Sequence, residues 1–134
     1  MTIVLDTNVV VSGILKPYGK PAALLRLVSA GKIQVAYDLR ILSEYQDVLQ
    51  RPKFDFSKED VDAFLTQIEK EGLLASAMPL NLQLPDPDDQ AFLEVAVSAR
   101  AFALITGNKH HYTRKEYQGV KIFSPAEFLE KQTR

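Results

Sequence analysis

Apolar residues along this chain fall into short unbroken runs, separated by longer stretches in which they recur at helical spacing. The first run, Ile3-Val4-Leu5, ends in Asp6-Thr7-Asn8 and predicts a strand buried on both faces followed by a polar turn. Beyond a Pro17, Gly19 and Pro21 break, Leu24, Leu27 and Val28 stand at i, i+3, i+4 and predict a helix from Ala22 to Ala30, stopped by Gly31. Ile33 to Tyr37 is strand-like. Asp38 can cap the next helix, whose stripe of Ile41, Leu42, Tyr45, Val48 and Leu49 runs until Arg51-Pro52. Ser57 with Asp60 resembles a capping box, opening a helix with Val61, Phe64, Leu65 and Ile68 on one face and Gly72 at its end. From Leu73 to Leu84, interrupted by Pro79, the pattern supports only a short strand and a loop. Asp86-Pro87-Asp88-Asp89 then launches a helix through Arg100 that is apolar almost all round, followed by a strand from Phe102 to Ile105 and by Thr106-Gly107-Asn108. A basic loop from Lys109 to Lys115 precedes the run Val120-Lys121-Ile122-Phe123, and Ser124-Pro125-Ala126-Glu127 caps a last helix.

Strands alternating with helices predict an α/β fold, a mostly parallel sheet covered by helices on both faces in three α/β/α layers. The 134 residues, 46% hydrophobic and 25% charged, fit one globular domain spanning 1–134. Cysteine is absent, which excludes a disulfide scaffold, thiolate zinc sites and a cysteine nucleophile. A formal net charge of −1 is unlike a dedicated duplex binder, so any nucleic-acid contact must be local. With no signal-like start and no apolar run of membrane-spanning length, a cytoplasmic protein without membrane contact is expected.

In such sheets, sites gather beyond the carboxyl ends of the strands. Asp6 and Asn108 follow two strands directly. Asp89 stands three, seven and ten positions before Phe92, Ala96 and Ala99, at the head of a buried stripe, and Glu44 lies between Ile41 and Val48 at the margin of another. A carboxylate facing a core is costly unless paired or bound to a cation, and oxygen-only clusters suit magnesium or manganese. Plainer readings exist for each residue: Asp6, Thr7 and Asn8 can cap a turn, Asp86 to Asp89 can cap a helix, and Glu44 can be a surface acid. Their joint placement on one sheet edge favours a common site. His110 and His111 have no acid or histidine partner at a diagnostic spacing and read as surface or substrate-facing.

Several segments together resemble the PIN-domain family: Leu5-Asp6-Thr7-Asn8 through Ser12, Glu44 before Arg51-Pro52, Asp86-Pro87-Asp88-Asp89 with Phe92-Leu93 and Ala96, Thr106-Gly107-Asn108-Lys109, and Ser124-Pro125-Ala126-Glu127-Phe128-Leu129. More narrowly, they resemble the branch described as toxin components of bacterial toxin–antitoxin pairs. The resemblance implies a ribonuclease dependent on Mg2+ or Mn2+, acting on single-stranded or structured RNA, with an antitoxin protein as partner. Asp6, Glu44 and Asp89 match its catalytic and metal-binding acids, and Asp86 or Asp88 substitutes if the register shifts. Asn108 falls where many relatives carry a further aspartate; a neutral amide binds a cation more weakly. Asn8, Ser12 and Thr106 match pocket-supporting positions, while Lys109, Arg114 and Lys115 can track the RNA backbone or simply form a solvated loop.

A dehalogenase-like phosphatase, which also places an Asp after its first strand, is disfavoured because the second acid it needs two positions on is Asn8 here. The alternative kept open by Asn108 is a PIN scaffold that binds RNA or a partner without cleaving. Finally, the stripe on the helix from Ser57 to Glu71, in a family that commonly pairs symmetrically, leads to the expectation of a homodimer; the competing reading buries that stripe within one core.

Overall fold

In the computed structural model, which describes residues 1–132, the unbroken apolar runs become the middle of a sheet, and the last two positions of the expected 1–134 domain lie outside the described residues. The strands are β1 (Thr2–Leu5), β2 (Gln34–Tyr37), β3 (Leu73–Leu74), β4 (Ala103–Ile105), β5 (Glu116–Tyr117) and β6 (Val120–Phe123). Their order is β3-β2-β1-β4-β6-β5, parallel throughout except for the antiparallel β5–β6 edge. Ile3, Val4, Leu5, Ala103, Leu104 and Ile105 are each 0% exposed, which is why these strands carry no polar alternation.

The helices are α1 (Thr7–Leu15), α2 (Lys20–Ser29), α3 (Leu39–Leu49), α4 (Lys58–Glu71), α5 (Gln90–Ser98) and α6 (Pro125–Gln132). From β1 the chain moves to β2 and β3 on one side, then returns through α5 to β4 on the other. Right-handed crossovers running in opposite directions put α1–α2 and α5 on opposite faces, giving the three layers expected. α2 packs on α1 and α6, α5 lies against β1, β2 and β4, and α3 bridges the carboxyl edge by touching both α1 and α5. No helix among the described residues is long and apolar enough to cross a membrane.

The capping signals behave as local chemistry dictates. Asp38 accepts the Ile41 N–H, Ser57 Oγ accepts the Asp60 N–H, and Ser124 and Glu127 satisfy each other's backbone N–H groups. Three expectations need correction. The polar turn after β1 is in fact the start of α1. Three consecutive valines and a glycine, Val9-Val10-Val11 and Gly13, conceal a helix that burial stabilises against its own propensity. Gly13 is needed there because a Cβ would stand 2.5 Å from Leu25 Cδ1 and 3.2 Å from Pro21 O. The helix expected from Asp86 to Arg100 is a 3-10 turn over Pro87–Asp89 followed by α5, which stops at Ser98 before Arg100 takes a φ of 53°. The stripe of α4 is spent internally: Val61, Leu65 and Ile68 are buried in the core, and Phe64 meets Tyr45 edge-on. Most of the stripe is thus buried within one copy, as in the competing reading, with Phe64 half-buried at its margin.

The irregular segment after β3 is held by a buried acid. Glu94 accepts the Leu80 N–H at 3.0 Å and the Arg40 guanidinium at 2.8 Å, and Gln90 bonds both Glu94 and Leu80. Burial works to raise the Glu94 carboxyl, but the Leu80 N–H, Arg40 and Gln90 together hold it below its usual range. Removing the acceptor orphans the Leu80 N–H and leaves Arg40 only its bond to Asp38, so Glu94→Ala is expected to lower urea-unfolding stability by about 1–3 kcal/mol. A loss below about 0.5 kcal/mol, typical of unremarkable surface changes, would mean that the segment is secured otherwise.

Candidate active site

The chain leaves β1 in one direction and β4 lies on its other side, so the crevice beyond their carboxyl ends is the topological switch point of the sheet. Asp6 follows β1 and its N–H is bonded to Ile105 O of β4 at 2.9 Å. It occupies the N-cap position of α1 but makes no side-chain cap, so the turn-capping reading fails for it. Its buried carboxylate instead accepts the Thr106 hydroxyl at 2.9 Å and the Tyr112 hydroxyl at 3.5 Å. Burial raises the Asp6 carboxyl above its ordinary value, opposed by the Thr106 hydroxyl, the Thr7 N–H, the charge of His111 and the Tyr112 hydroxyl.

Glu44 arrives from α3. The neighbouring Tyr45, fully buried, donates its hydroxyl to Leu5 O at 2.5 Å, which anchors α3 over the end of β1. Glu44 then overhangs the crevice and accepts the Thr7 hydroxyl. Its carboxyl is raised mainly by burial; the Thr7 bond opposes this, while the charges of Asp6 and Asp88 push the same way. Glu44 is therefore part of the acidic group and not a free surface acid.

Asp89 comes from the turn that opens α5. Of the three acids there it is the buried one; Asp88 is exposed, and Asp86 performs the capping by accepting the Asp88 N–H at 3.0 Å. Asp89 makes no cap hydrogen bond, so capping does not account for it. Its carboxyl is pushed up to about 6 by burial first and then by the charge of Asp6, with His111 working against the rise and Asp86 adding to it. Among the described residues, none of Asp6, Glu44 and Asp89 forms an ion pair with a lysine or arginine.

The residue that sequence reasoning missed is His111. Its Nδ1 lies 3.1 Å from Asp89 Oδ2, and its Nε2 lies 3.0 Å from the Asn108 amide nitrogen. The ring bridges Asn108 and Asp89, one nitrogen to each, with the tautomer setting which side donates. The surface reading of His111 is thus corrected: it joins Asp86 and Asp89 in a group whose ligand atoms lie within 4.8 Å of one another. No local signal could have revealed this, because histidine and acid are 22 positions apart.

The remaining candidates have mixed positions. Thr106 is fully buried and links Asp6 to the Asn108 N–H, which its hydroxyl accepts at 3.1 Å. Asn8 accepts the Gly107 N–H at 2.9 Å, tying α1 to the loop after β4. Ser12 is half-buried one turn after Asn8, with no side-chain hydrogen bond among the described residues. Lys109 is paired with Glu127 of α6 at 2.9 Å, Arg114 lies 5.6 Å over the Tyr117 ring, and Lys115 is exposed. The basic loop is therefore partly engaged in its own contacts.

A mostly parallel sheet with an acidic crevice at its switch point defines an α/β protein with a strand-end site. Residues 2–110 match the family model described as PIN domain, and the chain belongs to that family. It is 27% identical, over 96% of its length and 89% of the relative's, to an uncharacterized protein of Methanocaldococcus jannaschii. Among solved structures it is similar to VapBC2 from Rickettsia felis bound to a DNA fragment from its promoter, at TM-score 0.55 and 17% identity, covering 91% of this chain and 97% of that one. At that identity the likeness concerns the fold.

Proposed function

We propose that this chain is a single-domain, divalent-metal-dependent endoribonuclease of the cytoplasm and the toxin of a toxin–antitoxin pair. The observation that carries the reading is the convergence of Asp6, Glu44 and Asp89 from three separate segments on the switch-point crevice, with each carboxyl raised and none ion-paired to a lysine or arginine among the described residues. Like charges gathered with so little counter-charge are costly unless a cation relieves them. The oxygen donors, with Asn108 as a neutral one and His111 at the margin, fit Mg2+ or Mn2+. Asp6 and Asp89 would hold the ion, assisted by Glu44 and Asn108, with Asp86 and His111 at the Asp89 side. When bound, such an ion polarises a phosphodiester and acidifies water.

The chain's own residues account for the rest. Glu44, its carboxyl oriented by the Thr7 hydroxyl, is placed to accept a proton from the attacking water. The raised Glu44 carboxyl suits it to that exchange. Thr106 and Tyr112 fix the Asp6 rotamer through their hydroxyls, and His111 orients Asp89. Exposed Lys115 and Arg114 would receive RNA phosphates beside the crevice.

An antitoxin partner is supported by the VapBC2 likeness and by an open cleft between α1, α2 and α4, lined by Ile14, Leu25, Ala63 and Phe64. A second reading, a scaffold that binds RNA without cutting it, draws on Asn108, whose amide is engaged with His111 where a further carboxylate would strengthen metal binding. End-labelled single-stranded RNA incubated with the protein separates the two. Cleavage with Mn2+ that stops with chelator and with Asp6→Asn is expected; cleavage that persists in Asp6→Asn would point to a contaminating nuclease and sink the enzyme reading.

A further inference from the structure

The turn between α3 and α4 carries a feature that neither the acidic crevice nor the core uses. Glu44 and Asp47 lie on α3, and Arg51 stands two residues past its end, just beyond the Gln50 cap. It is close enough for its charge to act on Glu44. Among the described residues its ion pair is with the exposed Asp47, at 3.1 Å, and surface pairs of this kind exchange readily. Immediately after it, the Phe54 N–H bonds to Arg51 O and the Asp55 N–H to Pro52 O, each at 3.1 Å, and Asp55 closes the turn at φ 51°. This folds two aromatic rings together: Phe54 and Phe56 stack with centroids 5.2 Å apart and planes 8° from parallel. Phe56 leans on the core, whereas Phe54 remains half-exposed, with the Lys53 ammonium 5.1 Å from its centroid.

A half-exposed ring stacked on a second ring, with the Lys53 ammonium over it and Arg51 in the same turn beside the acidic crevice, matches what an unpaired nucleotide requires once the mobile lysine swings aside: a π-face for the base and positive charge for its phosphates. We propose that Phe54, backed by Phe56 and flanked by Arg51 and Lys53, is a stacking platform for one unpaired base of the RNA substrate. The inference rests on the ribonuclease reading for its substrate and adds where that substrate is gripped. It entails a preference for single strands, because a base within a duplex cannot lay its face on the ring.

The test uses full-length Asp6→Asn protein, which holds RNA without cutting it, and a short single-stranded RNA scanned with 2-aminopurine. At one position the fluorescence should be quenched on binding. Phe54→Leu should abolish that quench and weaken affinity about tenfold, Phe54→Tyr should retain both, and Arg51→Gln should weaken affinity and reduce the salt slope by about one. Melting curves check that each variant folds, and Arg51→Gln decides the matter if Phe54→Leu does not. Unchanged quench and affinity in Phe54→Leu, with Mn2+-dependent cleavage by the wild type intact, would overturn the platform alone, as expected if the pair is only a packing or protein contact. Quenching without any cleavage by the wild type would sustain the platform and sink the nuclease. RNA that fails to bind at all would overturn both.

Discussion

Asp89→Asn is expected to reduce Mn2+-dependent RNA cleavage about a thousandfold while making the metal-free protein more stable, not less. The two effects share one cause. The Asp89 carboxyl is pushed up to about 6 because ionising it costs burial and repulsion from Asp6 and Asp86. For an acid raised above its unfolded value, that cost is absent below the unfolded pKa, grows as pH rises through the folded pKa, and is complete above it. Metal-free wild type should therefore lose part of its stability between about pH 4 and pH 6, and the variant should lack that part. At pH 8 in chelator the gain should be about 1–2 kcal/mol by urea unfolding, after allowance for solvent screening at the crevice mouth. Asn can keep a hydrogen bond to His111, and Asp89 caps no helix, so nothing else opposes the gain. A variant less stable than wild type at pH 8 would mean that the carboxylate serves the fold.

The second large effect is the response to the ion. Binding only to the folded state at a hundredfold excess over Kd contributes about 3 kcal/mol, which for a chain of this size corresponds to a rise of about 10 °C in Tm. Mn2+ should produce such a rise in wild type and little in Asp6→Asn. Asp6→Asn retains an oxygen for the Thr106 and Tyr112 hydroxyls, so its apo fold should survive. Because the ion and the proton compete for Asp89, the wild-type rise should shrink as pH falls below about 6. Differential scanning fluorimetry across pH reads both. An equal rise in wild type and Asp6→Asn would show that the ion does not use Asp6.

Much of the fold could be read along the chain because its causes are local. An uninterrupted apolar run such as Ile3-Val4-Leu5 can only be a strand covered on both sides, and it became β1. Asp38, Ser57 and Ser124 bond N–H groups three residues ahead, a reach that depends on nothing distant. Asp6, Glu44 and Asp89 were legible for a related reason: an acid at the head or margin of an apolar stripe has few places to go besides a strand-end crevice. α1 was not legible. Its valines favour a strand by themselves, and only the close approach to Leu25 that Gly13 permits makes the helix the better arrangement.

The sequence by itself determined the succession of elements, their caps, the parallel sheet and the edge on which the acids lie, because periodicity and capping act over one turn or one pleat. That His111 reaches Asp89 across 22 positions and that Thr106 reaches Asp6 across 100 were decided only by the tertiary structure. So was the internal use of the α4 stripe, which period alone assigns equally well to a core or to a partner. Contacts between distant segments depend on how crossovers bring strand ends together, and burial then selects among side chains that local pattern leaves equivalent.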